Sequence, residues 1–158
     1  MTDVAVGARR ANSEDLVDLA RLYRVLEREM VSLRPIWALT DGLPAPEESA
    51  LDRAVMERLV IVGTIDEVVV GFLIAGLTEL LPQAGGERTA SIDLVFTEHD
   101  ARGIGVGEAM LDTALGDLRT RGIRRFDVAV LPGHRPAKNF FEAHGFKARS
   151  IIMHHEDL

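Results

Sequence analysis

The sequence predicts a single α/β (α+β) domain in which a mixed, mostly antiparallel sheet is flanked by helices. Two observations lead to this prediction. The chain has 158 residues, 47% of them hydrophobic, which suffices for one core of ordinary size. Its apolar residues alternate between the period of a strand and that of a helix, in the order β α α β β β α β α β. No repeat or flexible linker interrupts this order, so residues 1–158 are expected to form one domain.

The first three elements are a strand and two helices. Val4 to Arg10 alternates like a short strand, and Asn12 or Ser13 can cap the helix that follows. Apolar residues at steps of three and four give that helix one buried face: Leu16, Leu19, Tyr23, Leu26, Met30 and Leu33. A loop at Ile36 to Pro46 leads to a second, shorter helix at Glu47 to Leu59.

Three strands are expected next. Two runs rich in Val and Ile, Val60 to Ile65 and Val68 to Leu77, are separated only by Asp66 and Glu67, which predicts a hairpin. A third strand is predicted at Ala90 to Thr97.

The last third alternates helix and strand. Gly103 to Gly107 opens an amphipathic helix, and Arg124 to Leu131 resembles a strand. A helix at Arg135 to His144 is expected to end at Gly145. Phe146 to His154 is then predicted to close the sheet as a strand.

The charge distribution limits the choice of partners. The net charge is -7, with -9 in residues 1–100 and +2 in residues 101–158. An acidic protein is a poor general ligand for nucleic acid, because duplex affinity depends on neutralising phosphates. The basic third can hold a small phosphorylated ligand, and the acidic remainder can attract a cationic co-substrate. The alternative is that the charge serves solubility alone.

Composition also bears on location. No apolar run reaches the ~20 residues of a membrane helix. The first ten residues do not resemble a secretory signal, so we expect a cytoplasmic protein. The absence of cysteine excludes disulfides and a thiol nucleophile, which leaves hydroxyls, carboxylates and five histidines for chemistry. Nothing in the sequence decides between a monomer and a homodimer.

A glycine-rich loop is the most informative segment. It consists of Arg102, Gly103, Ile104, Gly105, Val106 and Gly107, between a strand and a helix. Free amides at a helix N-terminus favour an anion such as a pyrophosphate. Glu108 follows where a P-loop needs lysine and a dinucleotide fingerprint needs glycine, so both motifs are excluded. A tight turn whose glycines serve close packing remains the alternative.

Here the sequence resembles a known family. Arg102-x-x-Gly105-x-Gly107 after a strand is similar to the acyl-CoA loop of the GNAT superfamily of N-acetyltransferases. The order of elements and the ending at Gly145-Phe146 resemble that family as well. The resemblance implies the acyl-CoA N-acyltransferase fold and direct transfer of an acetyl group from acetyl-CoA to an amine of a small molecule or peptide. It places the pyrophosphate on residues 103–107 and the pantetheine along Val95, Phe96 and Thr97.

Two positions depart from the family pattern. His134 stands where the family often has an asparagine that contacts pantetheine, and Phe141 stands where it often has a tyrosine that protonates the leaving thiolate. Loss of the phenol is tolerable, because a thiol of pKa ~8.5 leaves acceptably as a thiolate. Phe141 is still expected to lie at the cofactor. His134 is expected to contact the pantetheine or to relay a proton, and the alternative is an ordinary loop histidine without a role.

Asp93 is the first candidate for the base that deprotonates the amine. It lies in an apparently central strand, where partial burial would raise the pKa of its carboxyl, and the resembled family often has a glutamate there. The alternative is a carboxylate satisfied by an arginine. Glu27 and Glu29 can line the amine site or lie on a solvated helix face.

The remaining candidates bind the ligands. Arg135 and Lys138 can reach the 3′-phosphate of CoA, and Arg102 can brace the loop or touch phosphate, whereas plain surface charge is the alternative for all three. Trp37 can form a wall of the acceptor site or fill the edge of the core. With no HExxH motif and no cysteine, we infer no metal. A protein that binds acyl-CoA without catalysis is the rival to an enzyme.

Overall fold

A computed structural model describes residues 3–157 and shows five strands and five helices in this part of the chain. The strands are β1 (Val6–Arg10), β2 (Leu59–Ile65), β3 (Val68–Glu79), β4 (Arg88–Thr97) and β5 (Arg125–Val128). The helices are α1 (Leu16–Leu33), α2 (Trp37–Thr40), α3 (Glu47–Glu57), α4 (Val106–Thr120) and α5 (Arg135–Ala143). None of these helices is long and apolar enough to span a bilayer.

The strands form one sheet in the order β1-β2-β3-β4-β5. Neighbours from β1 to β4 are antiparallel, and β5 is parallel to β4. The predicted mixed, mostly antiparallel sheet is therefore confirmed. The hairpin at Asp66 and Glu67 is confirmed too, since Ile65 pairs with Val68.

The sheet opens between β4 and β5. The two strands pair only from Thr89 with Arg125 to Ile92 with Val128, whereas β4 continues to Thr97. On its other side β4 stays paired with β3 up to Thr97. A bulge interrupts that pairing at the same level, because Leu94 pairs with Ile74 and Ile92 with Ala75, which leaves Asp93 without a partner. Residues 94–97 thus have one paired edge and one open edge, and Asp93 pairs on neither side.

Helices cover both faces of the sheet and enclose two apolar clusters. One face of the sheet packs on α1 to α3, with Phe72, Ile74, Leu94 and Phe96 at the interface. The other face packs on α4 and α5. Of the two predicted caps, Asn12 is the one used: it caps the short 3-10 helix Ser13–Asp15 that leads into α1, and its side chain accepts a hydrogen bond from the Glu14 amide at 2.8 Å.

The predicted closing strand, Phe146 to His154, is wrong. Residues 146–157 have no regular secondary structure, and Ile151, Ile152 and Met153 are largely exposed. A side-chain ion pair, Arg149 to Asp127 of β5, holds this segment instead of main-chain pairing. A pattern of β-branched residues predicts a strand only where another strand offers an edge in register.

Smaller deviations concern the boundaries. The loop at Ile36 to Pro46 contains the short helix α2, Leu59 belongs to β2 and not to the helix before it, and β5 ends at Val128 and not at Leu131. The early end of β5 has the largest consequence, because it creates the open edge of β4.

Gly63 sets the distance between α4 and the sheet. A Cβ atom there would lie 2.6 Å from Val106 Cγ1 and 2.8 Å from Met110 Sδ, both in the first turns of α4. We expect Gly63→Ala to lower the free energy of unfolding by about 1–3 kcal/mol, since the helix must move away. Chemical denaturation measures this change.

Gly116 in α4 offers a control, because it lies on the helix that packs against Gly63. A Cβ atom there meets nothing within 4 Å. Gly116→Ala should therefore stabilise the protein by up to about 1 kcal/mol through helix propensity. Equal effects of the two substitutions would contradict the role given to Gly63.

Candidate active site

The glycine loop adopts a conformation that requires glycine. Gly103 and Gly105 have φ angles of +83° and +99°, in the left-handed region. A Cβ atom on either would meet nothing within 4 Å. These glycines serve the backbone conformation and leave open space before the loop, so close packing does not explain them. Gly107 differs, because its Cβ position lies 3.5 Å from the Phe140 ring.

The loop presents free amide groups at the N-terminus of α4. Within residues 3–157, the amides of residues 103–108 donate no hydrogen bond to the protein. Gly105 is the N-cap residue, and no side chain caps the helix. The first amide engaged is that of Ala109, which donates to the Gly105 carbonyl at 3.0 Å. Such an arrangement is suited to bind an anion.

The open edge of β4 precedes this loop, and one short 3-10 helix at His99–Ala101 separates them. Val95, Phe96 and Thr97 are the last residues of the strand, and only their β3 side is paired. The Phe96 ring is buried in the cluster beneath α1, and Val95 packs against the cluster beneath α4. Side chains therefore hold the strand from both faces while its edge stays free. An extended ligand with amide groups can pair with such an edge.

Arg102 braces the loop. Its Nε donates to the Thr97 carbonyl at 2.8 Å, and its Nη2 donates to Glu29 of α1 at 2.9 Å. The guanidinium also lies 5.4 Å from the centre of the Phe96 ring, within cation–π distance. Of the two roles considered for Arg102, these contacts match the brace. Glu29 is expected either to line the amine site or to lie on a solvated helix face. The structure shows that its carboxylate binds Arg102 and so joins α1 to the loop.

His134 precedes α5 and is half-buried. Burial lowers the pKa of its imidazole below the ordinary value of 6.5. The negative charge of Glu29 raises this pKa and the positive charge of Arg102 lowers it, but both effects are smaller than that of burial. The lowered pKa favours the neutral imidazole, which can accept or relay a proton.

Asp93 differs from expectation in its surroundings. Its side chain is 43% exposed and forms an ion pair with Arg58, so the expected partial burial is wrong. Ser91 Oγ donates to Asp93 Oδ1 at 2.8 Å. The carboxylate is thus held by an arginine and a hydroxyl at the bulge, where β5 leaves β4.

Sequence reasoning missed Arg58, which joins α3 to β2. The helix ends before it, and its own backbone is extended, so no periodic pattern marks its side chain. Gly76 in the interior of β3 is the signal that could have found it. A Cβ atom on Gly76 would lie 2.8 Å from Arg58 Nη2, so the glycine makes room for the guanidinium.

Two aromatic candidates lie in the core. Phe141 is 3% exposed and packs edge to face against Phe140 and Phe146, with ring centres 5.0 and 5.3 Å apart. Trp37 in α2 is 5% exposed and belongs to the cluster beneath α1, which matches the core-filling alternative. The assignment of Phe141 to the cofactor and of Trp37 to the acceptor stays a prediction.

The charged candidates near the ends of helices remain accessible. Lys138 on α5 pairs with Glu142 one turn later, and Arg135 at the start of α5 is exposed. Both lie on the helix that His134 precedes, so both stay candidates for phosphate contacts. Glu27 is half-buried beside Tyr23. In residues 3–157, no three His, Asp or Glu side chains come together as a metal site.

A cleft of about 490 Å³ adjoins Asp93. It lies beyond the first residues of β2, beside the stretch of β3 from Gly76 to Thr78. Arg58 and Asp93 line it together with Arg10 and Ser91. The loop, the open edge and this cleft therefore follow one another along β4.

Comparison with known proteins identifies the family. The sequence profile of the acetyltransferase (GNAT) family matches residues 19–146, and the chain belongs to this family. Its members are N-acetyltransferases that use acetyl-CoA. The comparison with curated proteins gives no match.

Solved structures share the fold. A mutant of the BH1408 protein from Bacillus halodurans superposes with a TM-score of 0.81 at 21% identity, covering 96% of this chain and 99% of that one. A transcriptional regulator from Bacillus halodurans C-125 gives a TM-score of 0.74 at 26% identity, covering 96% and 100%. AAC(6′)-Iy, in complex with the bisubstrate analogue CoA-S-monomethyl-acetylneamine, gives 0.72 at 16% identity, covering 98% and 99%.

Tyr23, the one tyrosine of the sequence, is buried in α1 and accepts a hydrogen bond from the Leu43 amide at 2.7 Å. Burial raises the pKa of Tyr23 to about 12; the Leu43 amide opposes this shift, and Glu27 adds to it. We expect the folded protein to show less tyrosinate absorbance than the denatured chain at pH about 10.5, because a free tyrosine titrates near 10.

The sign for stability follows from the same shift. The folded state keeps the phenol proton at a pH where the unfolded chain loses it, so stability decreases as the pH rises from about 10 towards 12. Tyr23→Phe removes this decrease but leaves the Leu43 amide without an acceptor. A tyrosinate midpoint near 10 in the folded protein would contradict the buried position of the phenol.

Proposed function

We propose that this protein is an acetyl-CoA-dependent N-acetyltransferase that moves an acetyl group directly to a primary amine in the cytoplasm. The observation that carries the proposal is the open edge of β4 at residues 94–97, which precedes a loop of free amides. Pairing along an edge and an anion site at its end suit a ligand with amides and a pyrophosphate.

The loop and strand divide the binding of acetyl-CoA between them. The amides of residues 103–107 would hold the pyrophosphate, and the edge at Val95 to Thr97 would pair with the pantetheine amides. The open space before Gly103 and Gly105 gives the phosphates room. Lys138 and Arg135 would approach the 3′-phosphate from α5. The residues present therefore fit the cofactor.

When bound, acetyl-CoA would supply an activated thioester: attack of the amine nitrogen on the carbonyl carbon would form the amide, and cleavage of the carbon–sulfur bond would release CoA as a thiolate. The ammonium form of the acceptor must first lose a proton. Asp93 at the bulge would take that proton, since its carboxylate lies where the open edge begins. The backbone beside it would orient the carbonyl.

His134 would act at the pantetheine and the leaving sulfur, whereas Asp93 acts at the amine. Burial lowers the pKa of its imidazole, which favours the neutral form, and the charges of Glu29 and Arg102 act on the same ring. A neutral imidazole can hold a hydrogen bond to the pantetheine or pass a proton towards the departing sulfur. Phe141 brings no hydroxyl, and its ring is in the core. The thiolate therefore leaves unprotonated or receives its proton through His134 or water.

A second candidate function is acyl-CoA binding without turnover. Phe141 in place of the family's phenol favours it, and the relative with 26% identity is named a transcriptional regulator. The two functions differ in one measurement, the release of free CoA with a panel of amines. A sensor binds acetyl-CoA but releases no CoA at any amine concentration.

Gly105→Glu should abolish acetyl-CoA binding, because a carboxylate would stand where the phosphates lie. The left-handed backbone of Gly105 strains any side chain, so Gly105→Ala is the matched control. The alanine variant has the same strain but no charge, and its methyl group meets nothing within 4 Å. Calorimetric titration should show binding to the alanine variant and none to the folded glutamate variant. Equal affinities would contradict the assignment of the loop.

Asp93→Asn should lower turnover by about 10²-fold or more, the usual scale for loss of a general base. Acetyl-CoA affinity should change much less, and the acidic limb of the pH–rate profile should flatten. His134→Gln is the comparison variant. A larger loss of turnover in His134→Gln than in Asp93→Asn would move the proton acceptor to His134.

A further inference from the structure

Two of the charged side chains that line the cleft, Arg58 and Asp93, have opposite signs. Asp93 and Arg58 form an ion pair there, with 43% and 32% of their side chains exposed. Ser91 holds the second carboxylate oxygen of Asp93 at 2.8 Å. The pair is thus oriented but open to a ligand.

Gly76 of β3 leaves the space that the guanidinium of Arg58 occupies. Arg58 crosses β3 at Gly76, where a Cβ atom would lie 2.8 Å from Nη2 and 3.1 Å from Nε. A side chain at this position would require the guanidinium to shift from the place that it holds beside Asp93. Arg10 at the end of β1 and Arg121 after α4 add two further guanidinium groups to the lining of the cleft, and Glu57 adds a second carboxylate.

A ligand must replace both halves of this pair to bind well. An acceptor with positive charge alone would engage Asp93 but leave Arg58 without its partner, in a cleft whose lining has more arginines than carboxylates. An acceptor with both an ammonium and a carboxylate exchanges one ion pair for two. This exchange leaves neither Arg58 nor Asp93 without a partner.

We propose that the acceptor is an amine that also carries a carboxylate, as an amino acid or a short peptide does. Its carboxylate binds Arg58, and its ammonium binds Asp93, which is thereby freed to take the proton. The inference rests on the proposed acyl transfer and names its substrate class. Polycations such as polyamines and aminoglycosides are poor acceptors on this basis.

The test compares amines that differ only in the carboxylate. β-Alanine, 4-aminobutyrate, 6-aminohexanoate and glycylglycine are each paired with the corresponding amide, and spermidine and an aminoglycoside are added. We expect at least one acid to exceed its amide and both polycations about tenfold or more in kcat/KM, the effect of a charge-assisted contact. Calorimetric binding of the same pairs gives a readout that needs no turnover.

Three variants test whether Arg58 is responsible. Arg58→Gln should reduce the ratio of acid to amide to within about threefold, and Arg58→Lys should retain part of it. Gly76→Ala keeps Arg58 but displaces its guanidinium, so the ratio should fall there as well. Arg24→Gln removes an exposed arginine that pairs with Glu48 between α1 and α3, away from the cleft, and should leave the ratio unchanged.

Two outcomes would overturn the inference. One is turnover of amines or polycations without preference for any acid. The other is a preference that persists in Arg58→Gln. If no amine is acetylated although acetyl-CoA binds, the proposed transfer fails. Calorimetry then tests the acceptor class separately. Equal affinities of the protein for an acid and for its amide would contradict the ion-pair exchange.

Discussion

The divergence of β4 and β5 is the constraint on which the rest of the site depends. A strand inside a sheet has both edges satisfied, but here the parallel partner stops at Val128 while β4 continues to Thr97. The backbone groups left on one edge must find another partner or water. An extended ligand meets this requirement without any movement of the fold. The bulge at Asp93 marks the point where the open edge begins.

Packing keeps this edge fixed although it lacks a partner. Antiparallel pairing with β3 continues along the open stretch, and the two apolar clusters hold β4 from above and below. Gly63 lets α4 approach the sheet closely, which sets the position of the loop before that helix. The open edge is therefore part of a rigid layer, and a rigid edge requires little ordering when a ligand binds.

Charged side chains near the site are held by specific partners. Arg102 joins the loop to β4 and α1, and Arg58 joins the end of α3 to the bulge of β4. Both pairs are partly exposed, so each adds little to the free energy of folding. Their importance lies in orientation. The first fixes the loop against the strand, and the second places opposite charges side by side in the cleft.

The sequence by itself determined the local elements and the loop. Periodicity located most helices and strands to within a few residues, and the spacing of Arg102, Gly105 and Gly107 resembles a loop of the family that the profile match shows. These features are local, because capping, periodicity and backbone conformation depend on near neighbours.

Only the tertiary structure decided which of the expected strands find a partner. Phe146 to His154 has the composition of a strand but no main-chain pairing. It also decided that Asp93 faces Arg58, 35 residues earlier, across a glycine in another strand. A pairing between residues so far apart follows from strand register and from the space that Gly76 leaves, and neither is encoded near the two charges.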